Sequence, residues 1–215
     1  MPRSALRRLQ GTAAIGLAAA AVLSTISSAP ATAQSATPAA TAAATSSPEL
    51  DRARAALEKY QDPIVAIHDG YFSTLACVEY LQGGGEGTMP YTPGGMGVHF
   101  INLQAISPML DVAKPQVLIY EPVGDKLRLA AAEWFVPAEA AGGKRPSILG
   151  QELQGPMEGH EPLQPRGLHH YDLHVWLWKA NPAGMFSPTN PAVKCPKGSY
   201  SFTEHAPKIV PTSAH

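Results

Sequence analysis

The chain lacks most of the features that would name a function. Its 215 residues include only two cysteines, few aromatics (7 %), and no His-Glu-x-x-His, Gly-x-Ser-x-Gly, Cys-x-x-Cys or Gly-x-Gly-x-x-Gly pattern. The common zinc-protease, serine-hydrolase, thiol-redox and dinucleotide-binding signatures are therefore excluded. No basic run follows the first residues, which argues against nucleic acid and anionic membrane surfaces as partners. The single long apolar run, Gly11 to Ile26, is alanine-rich, closed by Ser27, Ser28 and Pro30, and short of the roughly 20 residues that a membrane span needs.

What is present at the N-terminus is a targeting pattern. Arg3, Arg7 and Arg8 precede the apolar run and Ala31-Thr32-Ala33 offers a small-x-small cleavage site, so residues 1–33 read as a secretory signal peptide. Arg7-Arg8-Leu9 is a hint of the twin-arginine route. Residues 34–48, almost all Ala, Thr, Ser and Pro, lack the apolar bulk to offset ordering entropy and read as a flexible linker. Residues 49–205 form one domain of ordinary size and 206–215 a tail. Without the three signal arginines, 13 basic residues face 17 acidic ones, a net charge of −4. The expected location is secreted or periplasmic, with no stable membrane insertion after cleavage. In such an oxidising compartment Cys77 and Cys195 are expected to pair.

Within the domain, Leu50, Leu57, Tyr60, Ile64 and Ile67 recur at helical spacing between Pro48 and Asp69-Gly70, as one helix or two restarted at Asp62-Pro63. His68 falls in the last turn, where a cation suits the helix C-terminus. Gly83 to Gly87 carries no Gly-Lys-Ser/Thr and reads as a mobile loop rather than a phosphate cradle. Short apolar stretches follow at 97–103, 116–121, 126–136 and 171–179, broken by Pro and Gly, and Pro146 to Pro165 reads as a long crossing loop. Pro122-Val123-Gly124-Asp125 joins the second and third stretches as a hairpin. The expected fold is α+β, an N-terminal helix packed on a curved or barrel-like antiparallel β-sheet.

Two positions stand out against that background. Strict alternation along 126–136 puts Glu133 on one face with Leu127, Leu129, Ala131 and Phe135. A carboxylate buried there must be paired, hydrogen-bonded, protonated or metal-bound. The stretch His169 to Trp178 holds three of the eight histidines and two of the three tryptophans, with His170, Asp172, His174, Trp176 and Trp178 on one face. His170 and His174 lie roughly 13 Å apart along a strand, too far to share an ion easily, whereas Asp172 is about 6.6 Å from either. His99 opens a strand after Gly97, beside Ile101 and Leu103. His99, Glu133 and His174 would form an open two-histidine, one-carboxylate site for a divalent transition metal such as Fe, Mn, Zn or Cu. Glu121, His170 and Asp172 are secondary ligand candidates, Glu121 also suiting an ion pair with Lys126 or Arg128. Trp176 is expected in the pocket wall, and His160, His205 and His215 are expected to be solvated.

The elements Gly95-Met96-Gly97-Val98-His99-Phe100-Ile101-Asn102, Tyr120-Glu121-Pro122, Ala132-Glu133-Trp134 and His174-Val175-Trp176-Leu177-Trp178 with Asn181-Pro182-Ala183-Gly184 resemble those of a group of exported bacterial proteins of unassigned activity. The resemblance implies export and a single domain, and marks His99, Glu121, Glu133 and His174 as motif positions. A looser similarity to cupins rests on His and Glu projecting into a small barrel; the cupin His-x-His followed by Glu is absent. The function expected is metal-dependent oxidation or hydrolysis of a small molecule. The alternatives are a non-catalytic binding protein for an apolar or aromatic ligand, with Glu133 and His174 as a buried pair, and an envelope interaction protein.

Overall fold

The computed structural model describes residues 47–82, 84–86, 89–160, 164–197, 201–203 and 207–211. The expected signal peptide, nearly all of the linker, Gly83, Gly87, His205 and His215 lie outside these residues. Helix α1 (Pro48–Leu57) starts within the expected linker: the Ser47 hydroxyl accepts from the Leu50 N–H at 3.2 Å and Pro48 occupies the first turn, where its missing N–H costs nothing. A 3-10 turn (Glu58–Gln61) leads to α2 (Pro63–His68), capped by the Asp62 carboxylate on the Ile64 N–H at 2.9 Å. The restart at Asp62-Pro63 is as the sequence suggested.

The strands are β1 (Phe72–Tyr80), β2 (Gly84–Glu86), β3 (Met89–Tyr91), β4 (Gly94–Ile101), β5 (Val117–Val123), β6 (Lys126–Pro137), β7 (Ser147–Ile148), β8 (Gln151–Glu152), β9 (Gln154–Met157), β10 (His170–Val175) and β11 (Ser201–Thr203). Seven of them form one sheet in the order β11-β1-β4-β5-β6-β10-β9, antiparallel throughout except for the parallel β1–β11 pair. It curls into a half-barrel, which gives the α+β class with a curved sheet. The glycine-rich stretch pairs in part as the β2–β3 hairpin rather than remaining a loop, because Met89–Tyr91 offers it a strand. The expected crossing loop holds β7, β8 and β9, and residues 207–211 run beside β9, with Val210 N–H donating to the Pro156 carbonyl at 2.9 Å.

Both faces of the central strands are buried. The larger apolar cluster covers one face, where Leu50, Ala53, Leu57 and Tyr60 of the helical segment meet Val98, Phe100, Leu118, Tyr120, Leu129, Ala132 and Trp134. The Tyr120 hydroxyl donates to the Tyr60 carbonyl at 2.7 Å, and Arg54 Nε to the Leu177 carbonyl at 3.1 Å, which ties the helices to the sheet. The other face carries Val117, Ile119, Ala130, Ala131 and Trp176.

One irregularity corrects the strict alternation along β6. The register slips by one residue between Ile119 paired with Ala131 and Tyr120 paired with Leu129, so Ala130 is a bulge. Leu127 and Leu129 therefore pack against the helix-side cluster, opposite to Glu133's neighbour Ala131. A second adjustment occurs in β4, where Gly97 adopts φ +88° and a Cβ there would stand 2.5 Å from the Tyr120 carbonyl oxygen. Gly97→Ala combines left-handed backbone strain with that clash, and is expected to cost about 2–4 kcal/mol of stability, read as a shifted denaturant midpoint at unchanged m-value.

Candidate metal centre

His174 and Glu133 are direct register partners across the β10–β6 pair, and Glu133 in turn pairs with Val117 of β5. His99 of β4 pairs with Ile119 two residues further along β5. Antiparallel alternation then aims all three side chains to the face away from the helices. The structure brings together the three residues that the sequence singled out. Their exposures are 7 % for His99, 3 % for Glu133 and 1 % for His174.

The distances within the group decide what kind of contact it is. Glu133 Oε2 lies 3.8 Å from His99 Nε2 and 3.6 Å from His174 Nε2. Both exceed hydrogen-bond length. Tetrahedral coordination with bonds of about 2.0–2.2 Å sets neighbouring ligand atoms roughly 3.3–3.6 Å apart, close to what is seen. The three ligand atoms all lie within 4.8 Å of one another. His99 Nδ1 and both ring nitrogens of His174 are buried with no hydrogen-bond partner, although buried polar atoms are normally satisfied.

A second set lies alongside. Asp172 Oδ2 is 3.4 Å from His170 Nε2 and 3.7 Å from His160 Nε2, and Asp172 Oδ1 is 3.9 Å from His174 Nδ1. His170 and Asp172, secondary candidates from the sequence, thus do converge, because their side chains tilt toward each other across the rise of the strand. His99, Glu133, His160, Asp172 and His174 all line one small cavity of about 20 Å³, with Met96 and Val117 among its apolar walls. That is room for one water or one ion, since a water needs about 10–15 Å³.

His160 corrects an expectation of solvation. Its side chain is 8 % exposed, and the Tyr80 hydroxyl lies 3.3 Å from its Nδ1. Gln164 N–H donates to the His160 carbonyl at 2.7 Å and Gly159 N–H to the Arg166 carbonyl at 3.2 Å, and both His160 and Gln164 line the cavity. No periodicity marks this placement of His160, and only the histidine itself was a signal. Glu121 stands apart from both sets: it binds Lys179 Nζ at 2.6 Å and has Arg128 at 4.0 Å, so Lys179 rather than Lys126 is its chief partner. Trp176 is also displaced from its expected place. β10 ends at Val175, and the indole packs with Ile119, Ala131 and Val193 while its Nε1 donates to the Ser187 carbonyl at 2.7 Å. It does not line the cavity.

Burial dominates the electrostatics. It pushes His99 down to about 3, aided by His174 and His160, and His174 down to about 4 against the opposing pull of Asp172. It raises Glu133 well above the ordinary carboxylate range, with the Asp172 charge adding to the effect. Burial also pushes Asp172 up, but His170, then the charges of His174 and His160, reverse this and hold it at about 2. In the metal-free protein the two histidines are thus neutral when folded but take up protons when unfolded, below their ordinary value of 6.5. Their lowered values contribute stability that is present above that value and lost on acidification. Glu133, raised, works in the opposite sense and offsets about one of the two protons. Stability is expected to fall by about 1–2 kcal/mol per pH unit between pH ~6 and ~5, which urea unfolding of chelator-treated protein checks.

An apolar pocket of about 310 Å³ adjoins the small cavity and shares Ile101, Val117 and Gln164 with it. Phe72, Leu103, Ile106, Phe135 and Leu168 contribute its apolar lining. Thr74 Oγ1 and Gln164 Oε1, both buried without a hydrogen-bond partner, belong to residues on its wall. The disulfide between Cys77 and Cys195 is formed, consistent with an oxidising compartment, and no helix among the described residues is long and apolar enough to cross a membrane. Comparisons with protein-family models, with curated proteins and with solved structures each give no match.

Proposed function

We propose that this is an exported protein holding a divalent transition metal at His99, Glu133 and His174, which acts on a small, largely apolar molecule seated in the adjoining pocket. The observation that carries the reading is the spacing: three buried ligand atoms lie too far apart to hydrogen-bond and at nearly the separation that one shared ion imposes. Two imidazoles and a carboxylate suit Fe, Mn, Zn or Cu. Such an ion would supply Lewis acidity or activate a water for hydrolysis, and a redox-active Fe, Mn or Cu with dioxygen as oxidant would supply oxidation.

The remaining residues would position the substrate. A cavity of about 150 Å³ accepts benzene, so a pocket of about 310 Å³ suits a body of one or two rings. Gln164 Oε1, an acceptor, calls for a donor on the ligand such as a hydroxyl, and the pocket's shared wall directs that group toward the metal. The reading is tested by thermal unfolding with added Zn(II). A saturating ion at a hundred times its Kd stabilises by about 2.7 kcal/mol. Wild type is expected to gain at least this, and His99→Ala to gain clearly less; equal shifts in both would sink the proposal.

A second reading is favoured by the same pocket: a metal-free binding module in which Glu133 and His174 form a buried pair. It requires that an apolar ligand bind equally well with and without chelator.

A further inference from the structure

We infer that His160, His170 and Asp172 hold a second divalent transition-metal ion beside the first. The inference extends the metal reading of His99, Glu133 and His174, and stands on contacts of its own.

The His170 ring fixes the argument. Its Nδ1 lies 3.2 Å from the Leu168 carbonyl oxygen, which can only accept, so Nδ1 carries a proton and donates. In a neutral imidazole the lone pair is then on Nε2. That nitrogen points at Asp172 Oδ2, 3.4 Å away, itself an acceptor when ionised. With the ring neutral, two lone-pair atoms face each other at exposures of 0 % and 1 %, and His170 Nε2 makes no hydrogen bond. A cation between them turns a repulsive contact into a ligand pair. Phe135, stacked on His170 at 4.7 Å between ring centres, keeps the ring in that orientation.

The third ligand completes the set. His160 Nε2 is 3.7 Å from the same carboxylate oxygen, and the three ligand atoms lie within 4.8 Å of one another. Both separations resemble those of the first set and match a shared ion better than hydrogen bonds. The two sets also touch. Asp172 Oδ1 lies 3.9 Å from His174 Nδ1, while the opposite nitrogen of His174 faces Glu133. One carboxylate and one imidazole therefore link the two candidate ions, each set offering two histidine nitrogens and one carboxylate, a donor class that suits Zn, Fe, Mn or Cu over Ca and Mg.

The rival arrangement is a protonated His170 paired with Asp172 and no second ion. Native mass spectrometry of the purified protein, titrated with Zn(II) alone against a chelator that strips surface histidines, separates the two. Two ions in wild type, one in His170→Ala and one in His99→Ala are expected. Saturation at one ion in wild type that is kept in His170→Ala and lost in His99→Ala overturns the second site and leaves the first standing; no bound ion overturns both. Two ions still bound in both His170→Ala and Asp172→Asn also overturn it. Asp172→Asn, nearly unchanged in volume, decides the matter where His170→Ala fails to fold, and its expected count is one.

Discussion

Cys77→Ser, with Cys195→Ser beside it, is expected to remove about 5 kcal/mol of unfolding free energy. The bridge spans a sequence separation of 118 residues, with Cα atoms 5.5 Å apart, and the chain-entropy relation gives about 5 kcal/mol for a loop of that length. Domains of this size are commonly stable by only about 5–15 kcal/mol, so the loss is a large part of the whole. It is also concentrated, because the bridge fastens β1 to the chain that passes Gly95 near Val193, beside the strand that bears His99. Denaturant unfolding under oxidising and reducing conditions should show the loss. A change under about 1 kcal/mol would mean that the reduced unfolded chain keeps the ends close without the bond.

The second large effect concerns metal affinity. Removing a partner beyond the ligands commonly costs 10–100-fold in affinity, so removing a ligand is expected to cost more than about 100-fold. His174→Ala and Glu133→Gln should each do so. Glu133→Gln is the cleaner probe, since the amide keeps nearly the volume of the carboxyl and takes away the charge from a residue that is 3 % exposed. The same change removes a buried group that resists ionisation in the metal-free protein, so its fold should survive. Competition with a chelator of known affinity gives the ratio.

How much of this was legible in the sequence depended on side-chain pattern. The β5–β6 hairpin was readable because Gly124-Asp125 marks the turn and apolar runs flank it. Glu133 was readable because a carboxylate inside such a run demands a partner. The bulge at Ala130 was not, since Ala130, Ala131 and Ala132 are identical and carry no face preference to reveal a slipped register. β9 has no sequence signal, because Gln154-Gly155-Pro156-Met157 has the composition of a loop and its pairing with β10 is a tertiary choice. Alternation does not extend past the end of β10 to Trp176, whose N–H bonds the Met185 carbonyl at 2.9 Å. His160 lines the cavity although no periodicity around it marks that position. Alternation therefore aligns three strands, while the second set of candidate ligands depends on tertiary contacts that the pattern does not encode.

The central claim is that His99, Glu133 and His174 share one ion. Metal analysis by mass spectrometry of protein purified after export, wild type beside Glu133→Gln, tests it most directly. At least one tightly held transition-metal ion per chain in wild type, with one fewer in Glu133→Gln, is the predicted result. Wild type that stays empty after incubation with Fe(II), Mn, Cu and Zn, or a count that Glu133→Gln leaves unchanged, would contradict it.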